Sequence, residues 1–356
     1  MNTKFDLYCW ACDFSPNRGE GILAQHYIQN LSKIHKKKIF VKTPRGAYRV
    51  NNGILHSYSK KTRNKSKLNF NFYENYLAPF IGILYLWTNY LRGRGVCYLN
   101  FLPLWNIFLF LFLPPKTHLG PITGFVFKKK VTGVNFFLRK YLNNFLFKIN
   151  LQILLVRQNK TYFSTDLLKL LIANNSQKKM YFNYLINLVE VKKNKIKKNI
   201  DFLIYNRNYS VKNNLYRNIL LKILSKINLN IYVIGDYLSF AKVKNLGFIS
   251  RAKTINLLTR TKFVINSGEN PYNIFTIDAF NNHANIIYEK RFRNKIKFFN
   301  KNKLLFFNSC NKEEIFNFFI KKNNHITQSL LTKECTNTKS KNLNYFNSVK
   351  IDYTKI

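Results

Sequence analysis

"TKFVINSGENPYNIFTIDAFNNHANIIYE", residues 261–289, holds the pattern that decides the fold. The apolar run at its start predicts a buried strand that stops at the turn "SGENP". In "YNIFTIDAFNN", Ile274, Ile277 and Phe280 recur at helical spacing, and "ANIIYE" is a second short apolar strand. Strand, helix and strand in this order predict two parallel strands joined by a crossover helix.

The alternation extends back along the chain. In the C-terminal half, "DFLIYNR" and "NIYVIGD" read as strands, and "NLYRNILLKILSKI" and "RAKTINLLTR" as helices. In the N-terminal half, "FDLYCWACDF", "KKIFVKT", "VCYLNF", "KTHLGPIT" and "LQILLV" read as strands. "GEGILAQHYIQNLSKI" is a helix carrying Ile22, Leu23, Tyr27, Leu31 and Ile34 on one face, and "VNFFLRKYLNNFLFKIN" is another. The charged run "VEVKKNKIKKNI" between the halves reads as a linker. The expected fold class is α/β: two doubly wound, Rossmann-like domains facing a cleft. Their expected bounds are residues 1–190 and 191–326, followed by a polar segment, 327–356.

Of 356 residues, 46% are hydrophobic and 16% aromatic, enough for two packed cores and against global disorder. The net charge is +44, with only 15 acidic residues. Three readings of this charge stand together. One is a nucleic-acid or anionic-membrane partner, and another is a basic cleft for phosphorylated ligands. The third is a coding bias that inflates Lys, Asn, Ile, Phe and Tyr together, since the lysines are scattered. Of the five cysteines, Cys9 and Cys12 form a lone CxxC without a second pair, so they are expected as small core residues of a cytoplasmic protein. The N-terminus lacks the pattern of a signal peptide, because its short apolar run carries Asp6. Residues 74–113 are nearly charge-free and long enough to test as membrane segments, yet Pro and Asn interrupt them. Core packing or shallow membrane contact is expected there, with a helical hairpin in the membrane as the alternative.

Ligands of doubly wound sheets bind at the carboxyl ends of the strands, so strand-end motifs are the candidates. In "SPNRGEGILAQ", Gly19, Glu20 and Gly21 are expected in a loop that brings backbone N–H groups to a phosphate or a sugar, although a tight turn reads the same way. In "YNRNYSVKNN", Arg207 offers a bidentate fork and Lys212 a point charge, a pair suited to a diphosphate. In "NLGFIS", Gly247 makes a turn, and backbone groups around Phe248 and Ile249 can meet a planar base. In "SGENP", Glu269 and Asn270 precede the helix, with Pro271 expected near its first turn. Asp278 is expected to face back towards Glu269. An acid among Ile274, Ile277 and Phe280 is buried only with a partner, and a ribose diol suits one carboxylate. Asn100, His118 and Thr123, near strand ends in the first half, are candidate acceptor-side groups that a structural role would equally explain.

The order of these motifs, with "LGPITG" at residues 119–124, resembles the GT-B glycosyltransferases, in particular the retaining group with an acidic pair across the last motif. The resemblance spans about residues 5 to 320. It departs from the family where the second acid is Asp278 rather than Glu, with eight residues intervening, and where "GEG" replaces a Gly-Gly loop. It implies transfer of a sugar from a nucleotide-diphosphate-sugar donor to an envelope glycan or lipid-linked acceptor, with retention. In that case Arg207 and Lys212 neutralise the diphosphate, Asp278 holds the ribose and Glu269 touches the donor sugar. Gly19 and Gly21 let the N-terminal loop close on the phosphates. No cofactor or metal is expected: the seven aspartates include no pair two residues apart, so a metal-binding DxD is missing. A cytoplasmic enzyme with peripheral contact to the inner membrane face fits such acceptors. The rivals are a basic nucleic-acid-binding protein, which lacks an RNA-binding motif here, and an inactive GT-B relative.

Overall fold

The structure is a computed structural model. It describes residues 5–17, 19–60, 77–99, 107–122, 142–157, 161–166, 180–190, 197–207, 229–240, 242–266, 270–297 and 301–307, with single residues 169, 172, 221 and 299. The chain divides into two compact units at Tyr184/Leu185.

The N-terminal unit contains β1 (Leu7–Ala11), α1 (Gly19–His35), β2 (Ile39–Thr43), β3 (Gly46–Asn51), β4 (Ile54–Lys60), α2 (Ala78–Tyr90) and β5 (Gly95–Leu99). It continues with α3 (Ile107–Phe112), β6 (His118–Leu119), α4 (Asn143–Arg157), β7 (Thr161–Tyr162) and β8 (Met180–Tyr181). Its six-stranded sheet has the order β4-β3-β2-β1-β5-β6. The four strands from β2 to β6 in that order are parallel, and β3 and β4 form an antiparallel hairpin at the edge. The hairpin turns on Asn52 and Gly53, with φ of 48° and 79°. Positive φ at both central residues is the requirement of the type I′ turn, which Asn-Gly meets at least cost.

Three expectations change here. "LQILLV" is not a strand but the last turns of α4. Phe147, Leu151 and Leu154 are buried at helical spacing while Val156 is 87% exposed, so one helical face, not a strand, buries this run. Gly19, Glu20 and Gly21 are not loop residues; they form the first turn of α1. On α1, Ile22, Leu23, Tyr27 and Leu31 are buried as expected, but Ile34 is 59% exposed at the fraying end. The core is centred on Trp10 of β1. α2 approaches it through Gly82, where a Cβ would lie 2.3 Å from the indole.

The C-terminal unit contains β9 (Ile200–Asn206), β10 (Ile231–Gly235), β11 (Val243–Asn245), α5 (Arg251–Thr259), β12 (Thr261–Ile265), α6 (Ile274–Asn281), β13 (Asn285–Glu289) and β14 (Leu304–Phe307). Its sheet has the order β11-β10-β9-β12-β13-β14, parallel throughout. Counted within the unit this is 3-2-1-4-5-6, the Rossmann order. Consecutive buried residues Phe202, Leu203 and Ile204 on β9 show a strand covered on both faces, as a parallel sheet requires. Both units are thus doubly wound, as the alternation of the sequence implies. The expected linker core, residues 191–196, and most of "NLYRNILLKILSKI" lie outside the described residues. No described helix is long and apolar enough to cross a membrane.

Candidate functional site

In the C-terminal sheet the strand order reverses between β9 and β12, and the carboxyl ends of these neighbours flank the crevice where doubly wound sheets take ligands. β9 ends in Asn206, which is fully buried. Its side-chain Nδ2 donates to the carbonyls of Asp236 (2.9 Å) and Tyr237 (3.2 Å), and its own carbonyl accepts from the Asp236 N–H. The loop after β10 is thereby tied to the end of β9. Gly235 makes the approach possible: φ is +95°, and a Cβ there would meet the Asn206 carbonyl at 2.2 Å. Asn245 continues the lacing, pairing with both backbone groups of Leu238 at 3.0 Å.

Gly247 turns the chain with φ +68°, as its place in "NLGFIS" implies, and sets Phe248 outwards with 67% of its surface exposed. Arg207, the first residue past β9, lies with its guanidinium 5.5 Å from the Phe248 ring centre and donates to the Tyr205 hydroxyl at 3.2 Å. Tyr237, 72% exposed, stands on the adjoining loop. The sequence motifs containing Arg207 and Gly247–Phe248 are therefore brought together. Ile249 is half-buried beside them. Lys212, the other half of the expected basic pair, lies outside the described residues.

Just past β12 stands buried Asn266, whose Nδ2 donates to Asn270 O (3.0 Å), Pro271 O (3.4 Å) and Thr276 Oγ1 (3.1 Å). Asn270 Oδ1 accepts from the Tyr272 N–H, and the Tyr288 hydroxyl donates to Pro271 O at 2.7 Å. Asn273 is the N-cap of α6, accepting from the Thr276 N–H at 2.9 Å. Pro271 thus stands two residues before the cap, outside the helix but near its first turn as expected. Residues 267–269, with Glu269, lie outside the described residues.

Asp278 sits in the second turn of α6, 5% exposed. The partner that its burial demands is Arg251, the first residue of α5: Nη2 donates to Oδ1 at 2.7 Å and Nε to Oδ2 at 3.0 Å. This fork holds both carboxylate oxygens, and it raises the pKa of Arg251, chiefly through the Asp278 hydrogen bonds. It also ties the end of "NLGFIS" to α6. Arg251 was not singled out in the sequence; the unexplained acid was the one signal pointing to it.

In the N-terminal unit, the loop after β1 is built on Asp13 and Ser15: the Ser15 N–H donates to Asp13 Oδ1 and the Asn17 N–H to Ser15 Oγ. Gly21 is required because a Cβ would meet the Ser15 carbonyl at 2.3 Å, so this glycine serves helix–loop packing. Gly19 is exposed and Glu20 half-buried at the same helix start. Cys9 is buried beside Cys97 on β5, and burial pushes the thiols of Cys9 and Cys12 up, the behaviour of core residues. His118 opens β6, where desolvation, with a smaller push from Lys37, lowers its pKa to about 4, so the ring is neutral at pH 7. Asn100 and Thr123 lie outside the described residues.

No family model matches the sequence, and no curated protein matches it. Solved structures do. Sucrose-phosphate synthase from Thermosynechococcus elongatus is 7% identical with a TM-score of 0.52, over 90% of each chain. Anabaena HepE in complex with UDP is 10% identical with a TM-score of 0.49, over 90% of this chain and 91% of that one. The lipopolysaccharide outer core galactosyltransferase WaaB is 11% identical with a TM-score of 0.46, over 90% and 91%. The likeness to the first is one of fold, two Rossmann-like units in a single chain.

Proposed function

We propose that this protein is a glycosyltransferase of the GT-B type, moving a sugar from a nucleotide-diphosphate-sugar donor held by its C-terminal unit to an envelope glycan or lipid-linked acceptor. The observation that carries the reading is the contact of Arg207 with exposed Phe248 beside the switch point of the C-terminal sheet. A nucleoside diphosphate combines a planar base with two phosphates, and an aromatic ring beside a guanidinium is complementary to both. Phe248, with Gly247 and Ile249, takes the base side. Arg207 and Lys212 stabilise the anion that develops as the bond from the anomeric carbon to the diphosphate breaks, which is where electrostatic help lowers the barrier most.

Asp278 belongs to the ribose side together with Arg251, since each carboxylate oxygen keeps acceptor capacity beyond the fork. Asn270 stands at the start of α6, and Glu269 is assigned to the donor sugar. Retention at the anomeric carbon follows the family resemblance, as does chemistry without a metal.

The test is release of nucleoside diphosphate from a panel of nucleotide sugars, with and without EDTA. The reading expects turnover of one donor, unaffected by EDTA, and a loss of about a hundredfold in Arg207→Ala, the usual effect of removing one charge-stabilising donor. Absence of turnover with every donor and acceptor extract, or full activity in Arg207→Ala, would overturn it.

A further inference from the structure

The outer face of α2 has no partner within the described residues. Inward, Ala78, Gly82, Ile83 and Leu86 meet the core. Outward, at helical spacing, stand Phe80 (49% exposed), Ile81 (38%), Leu84 (66%) and Leu91 (76%). α3 extends the surface with Leu111 (50%) and Phe112 (56%). The Trp87 indole N–H donates to the Phe112 carbonyl at 2.7 Å, which fixes the C-terminal ends of the two helices side by side. A helix apolar on both faces and exposed on one is out of keeping with water on that side.

Charge identifies what covers it. No Asp or Glu occurs between Glu74 and Asp166, a stretch with eleven Lys and Arg. Two of these, Arg92 and Lys116, are exposed just past the C-termini of α2 and α3, at the end that the Trp87 bond holds together. An apolar face edged by Arg92 and Lys116, on a stretch of sequence without acids, is complementary to an anionic lipid surface, where acyl chains lie beneath negative headgroups. The thirteen residues of α2 reach about 20 Å, short of the roughly 30 Å of a hydrocarbon core. The helix can therefore lie in the interface but cannot cross it.

We infer that the α2–α3 face docks this protein on an anionic bilayer, with α2 in the plane of the headgroups and Phe80, Leu84, Leu91 and Phe112 below them. This inference stands apart from the transferase reading, because bilayer docking needs no nucleotide.

Flotation of the full-length protein with vesicles of phosphatidylcholine alone, and of phosphatidylcholine with phosphatidylglycerol, tests it. Binding to the phosphatidylglycerol vesicles is expected, weaker in high salt, with little binding to phosphatidylcholine alone. The double variant Leu84→Ser/Leu91→Ser should bind at least about tenfold more weakly, because two apolar side chains no longer leave water. Arg92→Gln/Lys116→Gln should lose about tenfold or more as well. All four side chains are exposed, so unchanged thermal unfolding midpoints are expected and serve as the control. Three results would overturn the inference: no binding to either vesicle, equal binding by the variants, or a dimer in solution that the Leu84→Ser/Leu91→Ser variant abolishes.

Discussion

Asp278 shows what a single residue can disclose. An acid between Ile277 and Ala279 on a buried helix face must be neutralised by a partner, and that much is legible in the sequence. The identity of the partner is not, because Arg251 lies 27 positions away on another helix and only the packing of α5 against α6 joins them. Breaking the pair should cost about 2 to 3 kcal/mol, below the full value of a buried pair because Arg251 keeps 31% of its side-chain surface in water. Asp278→Ala should therefore lower the urea midpoint at unchanged slope, and Asp278→Ala with Arg251→Met should recover part of the loss. His118 makes a prediction about pH. Its folded pKa of about 4 lies below the unfolded value of about 6.5, so the unfolded chain takes up its proton first. Its neutral form supports folding in full above about pH 6.5, and that support declines as the pH falls through 4, by about 3 kcal/mol in total. His118→Gln should flatten the stability profile between those two pH values; an unchanged profile would show that the ring is solvated.

Elements were legible where their boundaries carry chemical marks. The strand–helix–strand unit of residues 261–289 appears as its apolar spacing indicates, because a buried parallel strand and an amphipathic helix differ in period. "LQILLV" had no such mark: six apolar and amide residues suit a strand or a helix equally, and continuation of α4 from Asn143 without a break decided it. The β3–β4 hairpin did carry a mark, Asn52-Gly53, although it interrupts the parallel alternation on either side of it. The glycines divide in the same way. Gly247 was read correctly as a turn residue, whereas Gly21 looked like a ligand loop and is a contact between backbones. Gly82 was not marked at all, since its need arises from Trp10 on a distant strand. Gly82→Ala should force α2 off the indole and cost about 1 to 3 kcal/mol, read as a lower unfolding midpoint with a shift in tryptophan fluorescence. A fluorescence spectrum and midpoint equal to the parent's would show that α2 packs elsewhere.

For the whole molecule, the alternation of strands and helices set the fold class and the composition allowed two cores, but the net charge of +44 left the partner open. Placement sorts some of that charge. In the C-terminal unit, Arg207 meets Phe248 beside the strand-order switch, and Arg251 is consumed by Asp278. In the N-terminal unit, cations border an apolar face. Charge that is scattered along the sequence thus falls into separate local settings, which only tertiary placement reveals. The central claim, a nucleoside diphosphate held at the C-terminal switch point, is tested most directly by the unfolding temperature of the full-length protein against UDP, GDP, CDP and ADP in EDTA. The account predicts stabilisation by one of the four, about 2.7 kcal/mol at a hundredfold excess over the dissociation constant, abolished in Arg207→Ala and reduced in Phe248→Ala. Indifference to all four nucleotides, together with tight salt-sensitive binding to RNA, would contradict it and leave a nucleic-acid-binding protein built of two Rossmann-like units.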